Sequence, residues 1–129
     1  MIFSHLIGWK ALNLVLVRRL LGYFDMPTFL IFGKHTSENC PANNEKTRKM
    51  IFEWGSKREG LYKKLGIKSI GGWTVAGEHL SVWVLETPSS EAFQKLISDP
   101  EWNSNPFETF EYKFAWTTEE VVKMLKQVK

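Results

Sequence analysis

Cysteine is nearly absent: Cys40 is the single one among 129 residues, so no disulfide closes within the chain and the stapled scaffolds of small secreted proteins are excluded. Excess charge is also missing. The 17 Lys and Arg against 14 Asp and Glu leave +3, too little to imply nucleic acid by itself, although the pI is near 9.0. Nor is there a long apolar run. The stretch 11–17 contains Asn13, Arg18 and Arg19 then interrupt, and 20–24 resumes, short of the roughly 20 residues that a membrane-spanning helix requires. The positive charge comes after the apolar stretch rather than before it, contrary to a secretory signal. Gly71 and Gly72 lack the third glycine and the following helix of a dinucleotide fingerprint, and no phosphate loop is visible. A reducing, cytoplasmic setting is expected, with neither a membrane nor nucleic acid as partner.

What the chain does have is aromatic mass. Six Trp and nine Phe, with 43% apolar residues, suit one globular domain that buries roughly two thirds of its unfolded surface without staples. The expected organisation is an apolar extension over 1–25 and a domain over 26–129. The extension reads as an amphipathic helix docked on an apolar surface, as a membrane-surface anchor, or as translated sequence upstream of a natural start at Met26. The last is favoured because Met26-Pro27-Thr28 runs straight into a strand pattern.

From 28 to 35 the β-branched and aromatic run predicts a first strand, followed by a loop over 36–43 in which Asn43 is placed to cap a helix. That helix is expected over 45–65, with Met50, Trp54, Leu61 and Leu65 on one face and Gly66 as its stop. Strands over 67–75 and 80–86 are joined by Ala76-Gly77-Glu78, a hairpin-length connection. Thr87-Pro88 opens a short helix bearing Phe93, Leu96 and Ile97, an irregular loop covers 99–106, and 107–116 alternates as a fourth strand. Thr117 and Glu120 have capping-box spacing and start a last helix with Val121, Met124, Leu125 and Val128 as its apolar face.

The order β-α-β-β-α-β-α predicts an α+β, ferredoxin-like domain with one added C-terminal helix, its two crossovers on the same face of an antiparallel sheet. Strand one is apolar on both parities, with Phe29 and Ile31 on one side and Leu30 and Phe32 on the other. A half-exposed sheet alternates with polar residues, so the second face is expected to be covered, most simply by a two-fold related copy.

His35-Thr-Ser-Glu-Asn-Cys40-Pro, Ile70-Gly-Gly-Trp73, Gly77-Glu-His79 and Pro88-Ser-Ser-Glu-Ala-Phe93 together resemble a group of small uncharacterised archaeal proteins, a domain of unknown function within the dimeric α+β barrel superfamily. The resemblance spans 26–129. It implies two sheets packed face to face in a homodimer that holds a small organic molecule, haem or sulfur chemistry between sheet and helices. It supplies no catalytic residues.

Antiparallel neighbours one and three place His35, at the end of the first strand, on the same rim as His79, at the start of the third. These two are the candidate catalytic residues, as polar anchors or proton carriers. Glu38 and Cys40 leave from that rim. Trp73, Glu78, Phe107 and Cys40 are the candidate ligand-binding residues, with Trp73 and Phe107 as apolar walls. A metal site completed by a nearby carboxylate or thiolate, and purely structural histidines, are the alternatives for this rim; no metal ligands are assigned, because the spacing matches no metal signature, and no cofactor is specified. The expected function is a small-ligand-binding protein or minor enzyme with a pocket between sheet and helices. The alternatives are an RNA-binding or protein-interaction module, for which Phe29, Phe32 and Trp83 would stack bases and Lys57 and Arg58 contact phosphate, and a purely structural dimer.

Overall fold

Alternation writes the sheet. In a computed structural model, which describes residues 26–128, β1 (Thr28–Lys34) sits between β3 (Leu80–Glu86) and β4 (Thr109–Ala115), and β2 (Lys68–Val75) pairs with the outer edge of β3. The strand order is β2-β3-β1-β4 and every neighbouring pair is antiparallel. The readings for 1–25 fall outside the described residues.

Cross-strand partners share a face. Ile31 lies opposite Trp83 and Tyr112, and Phe29 opposite Leu85 and Phe114, so these residues form one side. The helices cover that side: α1 (Glu45–Leu65) brings Trp54 to 5.5 Å from the Phe110 ring and 6.1 Å from Trp83, and α2 (Ser90–Ser98) stacks Phe93 on Phe29 at 3.9 Å. Ile31, Leu85, Leu96 and Trp102 are fully buried there. Two indole N–H groups taken from water find acceptors. Trp54 Nε1 donates to the Trp102 carbonyl at 2.8 Å, and Trp102 Nε1 donates to the Tyr112 hydroxyl at 2.8 Å, which avoids the cost of an unpaired buried donor.

The other side of the sheet carries Leu30, Phe32, Val82, Val84 and Trp73, with Glu111 and Lys113 on the β4 edge. Both faces of β1 are therefore apolar, as its sequence predicts, and only one is covered by the described helices.

Helix boundaries follow their caps. Asn44, not Asn43, caps α1: its side chain accepts from the Thr47 N–H at 3.0 Å, while Asn43 closes a turn onto the Cys40 carbonyl. The helix ends at Gly66, in left-handed conformation at φ 70°. Ser89 caps α2, so Pro88 precedes the cap instead of occupying the first helical turn. The expected irregular loop over 99–106 contains a 3-10 turn, Trp102–Ser104, that drives Trp102 into the core. β4 begins at Thr109 rather than Phe107, because Asn105 folds back to accept from the Phe107 N–H.

The last helix, α3 (Thr118–Lys126), has the expected capping box, with Thr117 and Glu120 exchanging side-chain and backbone hydrogen bonds. Its apolar face differs from expectation. The box turns Glu120 inward, so Val121 and Met124 are half-buried while Leu125, on the far side of the helix, is 64% exposed, and Val128, beyond the last helical residue Lys126, is 71% exposed.

Candidate functional site

The two histidines meet because of strand pairing. Lys34 faces Leu80 across β1 and β3, and one residue further the His35 N–H donates to the His79 carbonyl at 3.2 Å. Beyond the main chain, His79 Nδ1 lies 3.3 Å from His35 Nε2, and the rings meet edge to face at 5.1 Å. His79 takes φ 53°, the one non-glycine residue with positive φ among those described. Histidine tolerates this region better than most side chains, yet the conformation still costs about 1–2 kcal/mol. Gly77, at φ 77°, and the Glu78 N–H bond to the Val75 carbonyl make the rest of the turn. Strain of this kind persists only where the surrounding structure over-determines it. Here the sheet on both sides holds it.

Cys40 arrives from the loop after β1. Two turns fold that loop: the Asn39 N–H donates to the Thr36 carbonyl and the Cys40 N–H to the Ser37 carbonyl. Arg48 and Asn44 of the first helical segment then tie it down, donating to the carbonyls of Pro41 at 2.9 Å and Glu38 at 3.2 Å. The result brings the Cys40 sulfur and one nitrogen from each histidine within 4.8 Å of one another, all three side chains half-buried. His35 Nδ1 is buried without a hydrogen-bond partner among the described residues. Burial, and next the neighbouring His79, hold the His35 pKa below its ordinary value.

The remaining sequence candidates are placed apart from this trio. Trp73 is 58% exposed on the face that no described helix covers, and its ring lies back over Gly71, away from the turn that carries His79. Glu78 is exposed in the turn, its backbone bonded to Val75. Phe107 is half-buried in the approach to β4, held by Asn105. Between sheet and helices, aromatic rings from Trp54, Trp83, Trp102 and Phe110 fill the space at its centre. A cavity of about 340 Å³ opens instead between the C-terminal ends of α1 and α2, lined by Leu61, Lys64, Leu65, Lys95 and neighbours. A depression of about 180 Å³ lies beside Phe32 and Lys34. His35 and His79 line neither of these two.

A polar group missed by sequence lies near the same rim. Glu108 accepts from Asn105 Nδ2 at 2.7 Å, and burial raises its pKa despite that bond and the nearby Arg58 charge. Gly33 makes the room: a Cβ there would lie 2.9 Å from a Glu108 carboxylate oxygen and from the Trp83 ring. The Arg58 guanidinium stacks over Trp54 at 5.2 Å and Trp83 at 5.5 Å. Arg58 four residues after the core residue Trp54 was the available signal for a cation on the buried side of the helix. Glu108, just before a strand, carried none.

The base-stacking candidates do not share a surface, since Phe29 and Trp83 face the helices and Phe32 faces the other way. Compared with family models, curated proteins and solved structures, the chain finds no match in any of the three.

Proposed function

We propose that this chain is a small-ligand-binding protein whose polar anchor is the His35–His79 pair, carried on a ferredoxin-like domain that associates with a second copy through its uncovered sheet face. The observation that carries the reading is the 3.3 Å approach of two imidazole nitrogens from separate segments, one of them on a residue kept in an unfavourable backbone region. A purely structural pair gains little from such an arrangement. With His35 Nδ1 buried and unpartnered among the described residues, the pair suits a site that is completed by something else.

Association is supported by the apolar side chains of Leu30, Phe32, Val82 and Val84 on the face opposite the helices, continued by the exposed Trp73. Contiguous apolar surface of that kind marks an interaction site, and a closed two-fold pair is its most economical cover. Whether the site supports turnover or binding alone depends on the ligand.

Native mass spectrometry of the purified full-length chain tests both parts. The expected result is a two-chain mass with a retained low-mass species that disappears in the His35→Gln, His79→Asn double variant while the pair persists. Asparagine at 79 is chosen because it accepts the left-handed backbone. A retained species indifferent to both substitutions, or none at all, overturns the site. A monomer throughout overturns the association.

A further inference from the structure

We infer that the ligand of this site is a zinc-type divalent ion, held by one nitrogen each from His35 and His79 and by the Cys40 thiolate. The inference rests on the reading above for the role of the histidine pair and adds the third donor and the ligand's chemical class.

Geometry carries it. Two nitrogens bound to zinc at about 2.0–2.1 Å and separated by a tetrahedral angle lie about 3.3–3.4 Å apart, and His79 Nδ1 and His35 Nε2 are 3.3 Å apart. A sulfur bound at about 2.3 Å belongs about 3.5 Å from each nitrogen. The Cys40 sulfur and one nitrogen of each ring already lie within 4.8 Å of one another, so only a small side-chain adjustment separates the trio from a zinc-type geometry. Neutral hydrogen bonding between the rings is the competing account of the short approach. It gives the nearby Cys40 sulfur no role.

The donor set selects the ion. Two imidazoles and one thiolate are borderline-soft, unsuited to magnesium or calcium, which take oxygen ligands, and suited to zinc and its neighbours. On binding, Cys40 releases its thiol proton to solvent as the sulfur–metal bond forms, and no oxidation state changes. Three protein donors leave a fourth position open, the arrangement of sites where the ion also takes water or a substrate. Because the donors are half-buried rather than sealed, a small molecule can reach that position. Preorganisation is built into the backbone: the sheet fixes His35 against His79, and Arg48 and Asn44 fix the loop that bears Cys40.

The test uses the full chain, stripped with chelator and titrated with Zn²⁺ and with Co²⁺ as a visible substitute. One ion per chain is expected, with tetrahedral cobalt d–d bands and a thiolate-to-cobalt charge-transfer band. Cys40 is the single cysteine, so that band assigns the sulfur without any substitution, and zinc should protect the thiol from alkylation. In Cys40→Ser the band disappears, and in Cys40→Ser or His79→Asn zinc affinity falls by more than the roughly 10–100-fold that losing an outer-shell partner costs. No stoichiometric zinc binding at micromolar metal, or an ion bound without the thiolate band, overturns the inference. If zinc fails while a histidine-dependent organic species is retained in native mass spectrometry, the metal falls and the ligand-binding reading stands. If both are absent, both fall.

Discussion

Glycine-to-alanine exchange should have opposite signs at two places in this chain, and the structure says by how much. At Gly33 a methyl group would meet Glu108 Oε2 and Trp83 Cζ3 at 2.9 Å and Phe110 Cε1 at 3.1 Å. Three neighbours would have to yield, and two are rings packed against Trp54. Overpacking of that kind costs roughly 1–3 kcal/mol. At Gly55 and Gly60, inside α1, a methyl group meets nothing within 4 Å, and each replacement should stabilise the helix by about 0.5–1 kcal/mol, chiefly by reducing the freedom of the unfolded chain. For a domain of this size, 1 kcal/mol moves the melting temperature by roughly 4–8 °C. Gly33→Ala is thus expected to melt about 10 °C lower, and the Gly55→Ala, Gly60→Ala pair several degrees higher, by differential scanning calorimetry or urea titration. Adding Phe110→Leu to Gly33→Ala should recover part of the loss, a coupling that a double-mutant cycle reads directly. A Gly33→Ala protein as stable as the parent would refute the packing assigned to this rim.

Three further outcomes follow from the same geometry. Burial raises the Glu108 pKa, so the folded state holds that proton more tightly than the unfolded chain; the resulting stability is full below the unfolded value near 4.5 and is lost as pH rises through the raised one. Glu108→Gln should therefore gain stability relative to the parent at pH 7 and lose that advantage below pH ~4, measured by denaturant titration at both. His79→Gly relieves the backbone at φ 53° and should stabilise the metal-free protein by about 1 kcal/mol, read from urea midpoints, while removing the imidazole. Thr117→Ala removes the acceptor of the Glu120 N–H and half of the capping box, an expected loss of about 1 kcal/mol that far-ultraviolet circular dichroism would locate in the last helix.

Much of the architecture is legible in sequence because its signals are local. The spacing of Trp54 and Leu61, the stop at Gly66 and the Thr117–Glu120 box each act within a few residues, and the helices appear where they point. The shared rim of His35 and His79 is also legible, since it needs only that their strands be antiparallel neighbours. What fails is anything set by side-chain direction. Two adjacent asparagines offer the same capping chemistry, and only the loop path decides for Asn44. Trp73 turns away because Gly71 offers no side chain to obstruct it. The sulfur of Cys40 reaches the histidines through two consecutive turns and their ties to α1, which residue spacing does not encode. Leu125 misses the core because it lies about 140° around the helix from the buried Glu120, and Val128 because the helix has already ended at Lys126.

The place of the site follows from what the interior can spare. Between sheet and helices, indole N–H groups are matched to acceptors at 2.8 Å and rings fill the volume, so a polar ligand there would displace packing and break paired donors, each a cost of kcal/mol order. Strand ends carry no such obligation. There the ladder has stopped, backbone groups bond across one last pair from His35 to His79, and side chains are free to point at one another instead of into a filled core. The strained turn is tolerated because the β2–β3 and β1–β3 pairing on either side absorbs it. The same reasoning separates the site from the sheet face that no described helix covers: the histidines lie beyond the paired residues, while Leu30, Val82 and Val84 lie among them. Covering that face therefore need not close the rim, and a paired protein can still admit an ion or a small molecule at each copy.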